Sequence, residues 1–144
     1  MNQISELIKK IKDEGNQNLS IKIDISSKTQ KEIEQYLNID LTGYVFEISL
    51  FALRHIIKRH NNEKIEAARN QVVITNKELE KIPLVIEQFD FCYADGKNKI
   101  GKDVFVFVKN LGNRYIIIKE IRTGRKTISL DSMRIVKIKK RKTP

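Results

Sequence analysis

Both histidines of this chain, His55 and His60, fall in one short stretch, Ser49 to His60, reading Ser-Leu-Phe-Ala-Leu-Arg-His-Ile-Ile-Lys-Arg-His. Imidazole is the side chain that gives and takes protons near neutral pH. Arg54, Lys58 and Arg59 lie beside or between the pair, so an anion is the natural ligand of this segment. Ser49 is placed to cap a helix and Asn61-Asn62 to stop it. On the helical wheel Leu50, Leu53, Ile56 and Ile57 form an apolar arc that includes His60. His55 falls about 140° away, on the polar side with Arg59. His60 is thus directed toward whatever the helix packs on, and His55 toward its flank or solvent. The plainer alternative is a hydrogen-bonded core histidine at 60 and an ordinary surface residue at 55.

Metal chemistry is poorly supplied. Zinc asks for three or four converging ligands, and histidines spaced i, i+5 diverge. There is one cysteine, no His-Glu-x-x-His and no glycine loop to cradle a phosphate, so neither metal nor cofactor is expected. RNA cleavage without metal is better provided for. It needs a base for the 2′-hydroxyl proton, cations for the charged phosphorane, and an acid for the leaving 5′-oxygen. Candidates beyond the histidines are Lys109, Lys119, Glu120, Arg122, Thr127, Ser132 and Arg134, all in the C-terminal third. Each alone reads as part of a solvated sheet face; opposite a two-histidine helix they make a catalytic surface.

The elements that must position these groups follow from periodicity. Ile4, Leu7, Ile8 and Ile11 mark a first amphipathic helix closed by Gly15. Leu19 to Ile25 alternates as a strand. Thr29-x-x-Glu32 and Thr75-x-x-Glu78 are capping boxes opening further helices, the second interrupted by Pro83. Tyr44–Ile48 is a short extended piece before the histidine helix. From Phe89 the period turns to alternation: Phe89–Tyr93, Val104–Lys109, Tyr115–Ile121 and Thr127–Leu130 are strands, followed by a further extended run from Asp131 to Ile138, with a hairpin loop at Asn110–Asn113. Helices followed by a meander give an α+β domain, with N-terminal helices on a C-terminal antiparallel sheet of about four strands. The Leu53/Ile57 side of the histidine helix should pack on that sheet, 104–138.

The 144 residues suit one domain with a proper core. Residues 1–43 read as an N-terminal addition, 44–139 as the α+β core, and 140–144 as a loose basic tail. No apolar run is long enough to span a membrane, no signal-peptide core opens the chain, and the lone Cys92 sits among apolar and aromatic residues as an inert thiol. A soluble cytoplasmic protein is expected. Charge is uneven: residues 1–72 carry 11 basic and 10 acidic residues, residues 73–144 carry 17 and 8. A concentrated positive field attracts polyanions, nucleic acid first among them.

Ala52-Leu-Arg-His-Ile-Ile-Lys-Arg-His60, followed by Ile74-Thr75, Leu79 and Ile82-Pro83, resembles the phage-associated nucleases of the barnase–EndoU–colicin–RelE class. Val104–Lys109, Ile116–Glu120 and Leu130-Asp-Ser-Met133 run as that family's strands do, so the resemblance covers Tyr44 to Lys139. It implies a helical segment on a four-stranded antiparallel sheet, with metal-independent RNA cleavage on the sheet face. It also implies a frequent role as a toxin of phages or mobile elements, with an immunity or antitoxin protein as partner. By position it assigns catalysis to His55, His60, Lys109, Glu120 and Ser132. Arg59, Lys119, Arg122, Thr127 and Arg134 would then contact RNA, with tRNA or another structured RNA as substrate class. Two other readings use the same basic face: a non-catalytic RNA- or DNA-binding module, and a small phage protein that binds an acidic protein partner.

Overall fold

The computed structural model describes residues 3–11 and 19–138; the expected stop at Gly15 and the basic tail lie outside the described residues. The helices are α1 (Gln3–Lys9), α2 (Ser27–Leu37), α3 (Leu50–His60), α4 (Glu63–Ala68), α5 (Asn76–Leu79) and α6 (Ile82–Glu87). The strands are β1 (Ser20–Asp24), β2 (Val45–Ser49), β3 (Phe91–Lys97), β4 (Asp103–Leu111), β5 (Asn113–Arg122) and β6 (Thr127–Val136). They make one sheet in the order β1-β2-β6-β5-β4-β3. The β3–β6 meander is antiparallel throughout, as its alternation and turns require. Its β4–β5 turn narrows to Gly112, whose positive φ of 85° suits a residue without a side chain.

The class is α+β, but the sheet has six strands rather than about four. The other two are β1, antiparallel to β2, and β2, parallel to β6. Alternation along 19–25 and 44–48 signals extended chain without saying what it pairs with. The partner is set by tertiary packing, here a parallel contact joining Val45 to Thr127.

One face of the sheet carries the main core. Phe46, Phe89 and Phe107 meet edge to face at its centre, with ring centroids 6.3 and 5.5 Å apart. Along β5, Tyr115, Ile117 and Ile121 point into this core, and Lys119 shares their parity. Cys92 is buried, and burial followed by the charge of Glu32 pushes its thiol up to about 12, far from a thiolate at neutral pH. The helix over 27–37 starts earlier than its capping box suggested. Ser26 is the N-cap, accepting from the Thr29 backbone N–H. Thr29 is buried and donates instead to Glu87 Oε2 at 2.8 Å, tying α2 to α6. The Thr75/Glu78 box does form, and Pro83 sits in the first turn of α6, where its missing N–H leaves no orphan.

α3 is the element that matters most. Ser49 Oγ accepts from the Ala52 backbone N–H at 3.0 Å, and Leu50, Ala52, Leu53, Ile56 and His60 are buried, with Ile57 half-buried. β2 ends at Ser49 and α3 follows directly, lying against β6. Farther along, Val72 N–H donates to Ile135 O, and Ile74 N–H donates to His60 O. This strap holds the C-terminal end of α3 beside β6. Replacing the cap, Ser49→Ala, is expected to lower stability by ~1 kcal/mol, read as a smaller urea midpoint at unchanged slope.

Candidate active-site groove

The face of the sheet opposite the main core is open, and strand parity decides what it shows. On β6, Ser132 and Arg134 lie across from Ile118 and Ile116 of β5. α3 packs Leu50, Leu53 and Ile56 into the main core beside β6, and its Phe51, His55 and Arg59 side borders this face as a wall. Between wall and sheet runs a groove of three adjoining hollows. Ser49, Phe51 and Arg122 are shared by the first and second, Arg59 and Ser132 by the second and third.

His60 lines the third hollow with Arg69, Ser132 and Arg134. Its Nδ1 lies 3.1 Å from Glu66 Oε1 on α4, and Glu66 is 1% exposed. A carboxylate on Nδ1 favours the tautomer protonated there and leaves Nε2 as the acceptor. The Glu66 carboxylate faces the ring with one oxygen, while its Oε2 is buried without a hydrogen-bond partner. Such a pair fixes the ring's orientation. The wheel had directed His60 toward the packed side, and it is buried there, yet at the groove's edge.

His55 is exposed, about one turn earlier on α3, and its ring lies parallel to Phe51 with centroids 6.4 Å apart. It lines the middle hollow with Glu120, Arg122, Asp131 and Ser132. Glu120 is buried and doubly held: Arg122 Nε donates to Oε1 at 2.8 Å and Asn98 Nδ2 to Oε2 at 2.7 Å. It therefore anchors the Arg122 guanidinium. Thr127 is buried in a neighbouring network, its Oγ1 3.1 Å from Ser129 Oγ, which donates to Glu47 Oε1 at 3.2 Å.

Asp131 is the residue that sequence reasoning passed over. Lys119 pairs with Leu130 and Ile118 with Ser132, so Asp131 is the extra residue of a bulge in β6. Bulges re-aim side chains, often beside active sites. Partial burial, then the Glu120 carboxylate, push the Asp131 carboxyl above the usual range; His55, Arg122 and Arg59 act the other way. The signal was an acid in the midst of a β-branched strand, where Asp has little intrinsic place.

Two expected site residues stand apart. Lys109 shares the core-facing parity of Tyr115, and its Nζ donates to Gln88 O at 2.8 Å and sits 3.8 Å from Asp90. Lys119 is fully buried, its Nζ 4.4 Å from the centroid of the Phe46 ring. Both are a single residue out of phase with the open face, and neither reaches the groove. The groove thus brings together His55, Arg59, His60, Glu120, Arg122, Ser132 and Arg134, with Thr127 beneath one end. A larger concavity lies elsewhere, an open dish beside the end of α2 lined by neither histidine nor arginine.

Residues 23–143 match the family described as phage-Barnase-EndoU-ColicinE5/D-RelE like nuclease3. The chain belongs to this nuclease family. The match begins inside β1, so it takes in more of the N-terminal region than the resemblance from Tyr44 onward. No curated protein and no solved structure matches the chain. Among the described residues of this nuclease family member, no helix is long and apolar enough to cross a membrane, and no three His, Cys, Asp or Glu side chains are grouped to hold a metal ion.

Proposed function

We propose that the groove cleaves RNA by attack of a 2′-hydroxyl on the adjacent phosphate, with the protein's own side chains as acid, base and cations. The observation that carries this reading is the oriented His60–Glu66 pair opening onto the same groove as His55 and four arginines, Arg59, Arg69, Arg122 and Arg134. His60 Nε2 is the base that takes the 2′-hydroxyl proton. Arg59, Arg122 and Arg134 meet the phosphate and the charge that grows on it, and Ser132, at the junction of two hollows, donates to a phosphate oxygen. His55 returns a proton to the leaving 5′-oxygen. Glu120 acts as a positioning residue through Arg122. A structured RNA such as tRNA, a cytoplasmic place of action, and a toxin role with an immunity or antitoxin protein extend the same reading.

The test is to incubate the pure protein with total RNA in excess chelator. Cut fragments are expected to carry 2′,3′-cyclic phosphate or 3′-phosphate ends, because the 2′-oxygen is the nucleophile. Cleavage that disappears with chelator and returns with magnesium would overturn the mechanism. Tight, salt-sensitive RNA binding without any cutting would favour the binding-module reading instead.

A further inference from the structure

Two aromatic rings at the far side of the open face have no role in the groove. Phe91 and Tyr93 of the edge strand β3 are 41% and 42% exposed, and their rings stack with centroids 6.4 Å apart and planes at 20°. Large apolar rings left in water call for an explanation, and strand register supplies one. Phe91 pairs with Val108, Val108 with Ile116, and Ile116 with Arg134. Tyr93 pairs with Val106, Val106 with Ile118, and Ile118 with Ser132. Directly paired residues of antiparallel strands share a face. The two rings therefore stand on the same two rungs as the groove's Arg134 and Ser132, three strands away. At about 4.8 Å per strand that is roughly 14 Å.

The ground between is apolar: Val106, Val108 and Ile116 form a small second cluster with Ile118 against it. Val106, Val108 and Ile116 are buried, so the exposed rings of Phe91 and Tyr93 are the flat faces that this end of the sheet offers to a base. Cations lie at the groove end, Arg134 on one rung and Arg114 on the next, opposite Val136. A strand of RNA held by its phosphate in the groove has a path across the sheet along these rungs, its backbone near arginine and a base reaching the two exposed rings.

We propose that Phe91 and Tyr93 form a base-stacking platform for single-stranded RNA a few nucleotides from the scissile phosphate. The proposal rests on the reading of the groove as an RNA site. Aromatic faces accept any base, so the platform adds affinity and single-strand preference with little sequence choice. It makes the preferred substrate an unpaired loop or tail in place of a duplex.

The experiment uses the full chain with Phe91→Leu, Tyr93→Leu and the double variant, which keep apolar bulk and remove the rings. Binding of a 2′-O-methylated single-stranded oligonucleotide, which cannot be cleaved by 2′-attack, is measured by fluorescence anisotropy beside a duplex of the same sequence. Cleavage is measured on a dinucleotide and on a longer oligonucleotide. Each single change is expected to weaken single-strand binding about fivefold or more, with duplex binding and dinucleotide cleavage unchanged and KM for the longer substrate raised at constant kcat. Loss of single-strand binding with no cleavage of anything by the native chain would keep the platform and remove the nuclease mechanism. Native cleavage with unchanged oligonucleotide binding and KM in the double variant would overturn the platform, as would equal losses on the duplex. Thermal melting of each variant separates either result from unfolding.

Discussion

His60→Gln is expected to lower RNA cleavage by at least about 10²-fold, the low end of what a general base contributes, while the chain remains folded. Glutamine keeps most of the volume beside Glu66 and can still donate to a carboxylate, so the 3.1 Å contact has a substitute. What it lacks is a nitrogen that accepts a proton. Glu66→Gln is the informative companion. It leaves the ring in place but removes the carboxylate that selects the tautomer with a free Nε2. Its expected loss is smaller, and it should fall mainly on kcat. His55→Gln is expected to spare the fold entirely, since the residue is exposed, and to lower kcat through loss of the leaving-group acid. Rates on a substrate with an activated leaving group separate the two roles. The His55 variant should regain activity there because such a group departs without a proton, whereas the His60 variant should not. If His55→Gln alone stops cleavage and His60→Gln only lowers the melting temperature, the roles are reversed and the His60–Glu66 pair is scaffold.

The histidine helix was legible because it depends on local physics. A serine cap, an apolar arc and the two asparagines fix α3 to within a residue, and the arc also predicts that His60 is buried and His55 is not. The meander was legible for the same reason: alternation and turn residues act over a few positions. What could not be read was everything set across long separations. The partner of β2 is one case; the carboxylate at His60 is only six residues away, yet it depends on how α4 turns back on α3, which packing decides. Glu66 belongs to a short helix whose sequence gives no hint that one side chain turns inward. Strand parity was the costliest loss. Lys119 follows the core-facing alternation of Tyr115, Ile117 and Ile121 along β5, so this basic residue lies beneath the open face, while the bulge at Asp131 shifts β6 by one residue against β5. Lys109 reads in the sequence as a strand-terminal base, yet its strand presents it to the helix layer, where the Gln88 carbonyl at the end of α6 receives it. Charge counts along a strand carry no information about which face they serve.

Lys119→Met is expected to make the protein more stable at pH 6, by roughly 1–4 kcal/mol, the range found when buried charges give way to apolar groups of like shape. Lys119 is 0% exposed, its Nζ has no hydrogen-bond partner, and its nearest company is the ring of Phe46. An ammonium there has lost its water, and a ring face replaces only part of it. Burial pulls the amine down from 10.5 to about 7, with Glu47 opposing. The sign follows from proton counts. Between about pH 7 and pH 10.5 the unfolded chain keeps a proton on this lysine that the folded chain has given up. Raising the pH through that window therefore favours the folded state, and lowering it toward 7 loses that advantage; below about 7 both states hold the proton and the folded one bears the full cost. Urea unfolding of the native chain and of Lys119→Met at pH 6, 8 and 9.5 tests this directly. The gap between them should be widest at pH 6 and narrow steadily toward 9.5, since only the native chain carries the titrating amine. Parallel curves would mean that the amine titrates alike in both states, and that the side chain reaches water by a path its complete burial does not suggest. Cleavage measured on the same variant at fixed pH should hardly change, because the amine sits against Phe46 on the core face, opposite in parity to Ser132, and does not line the hollows that hold His55 and His60.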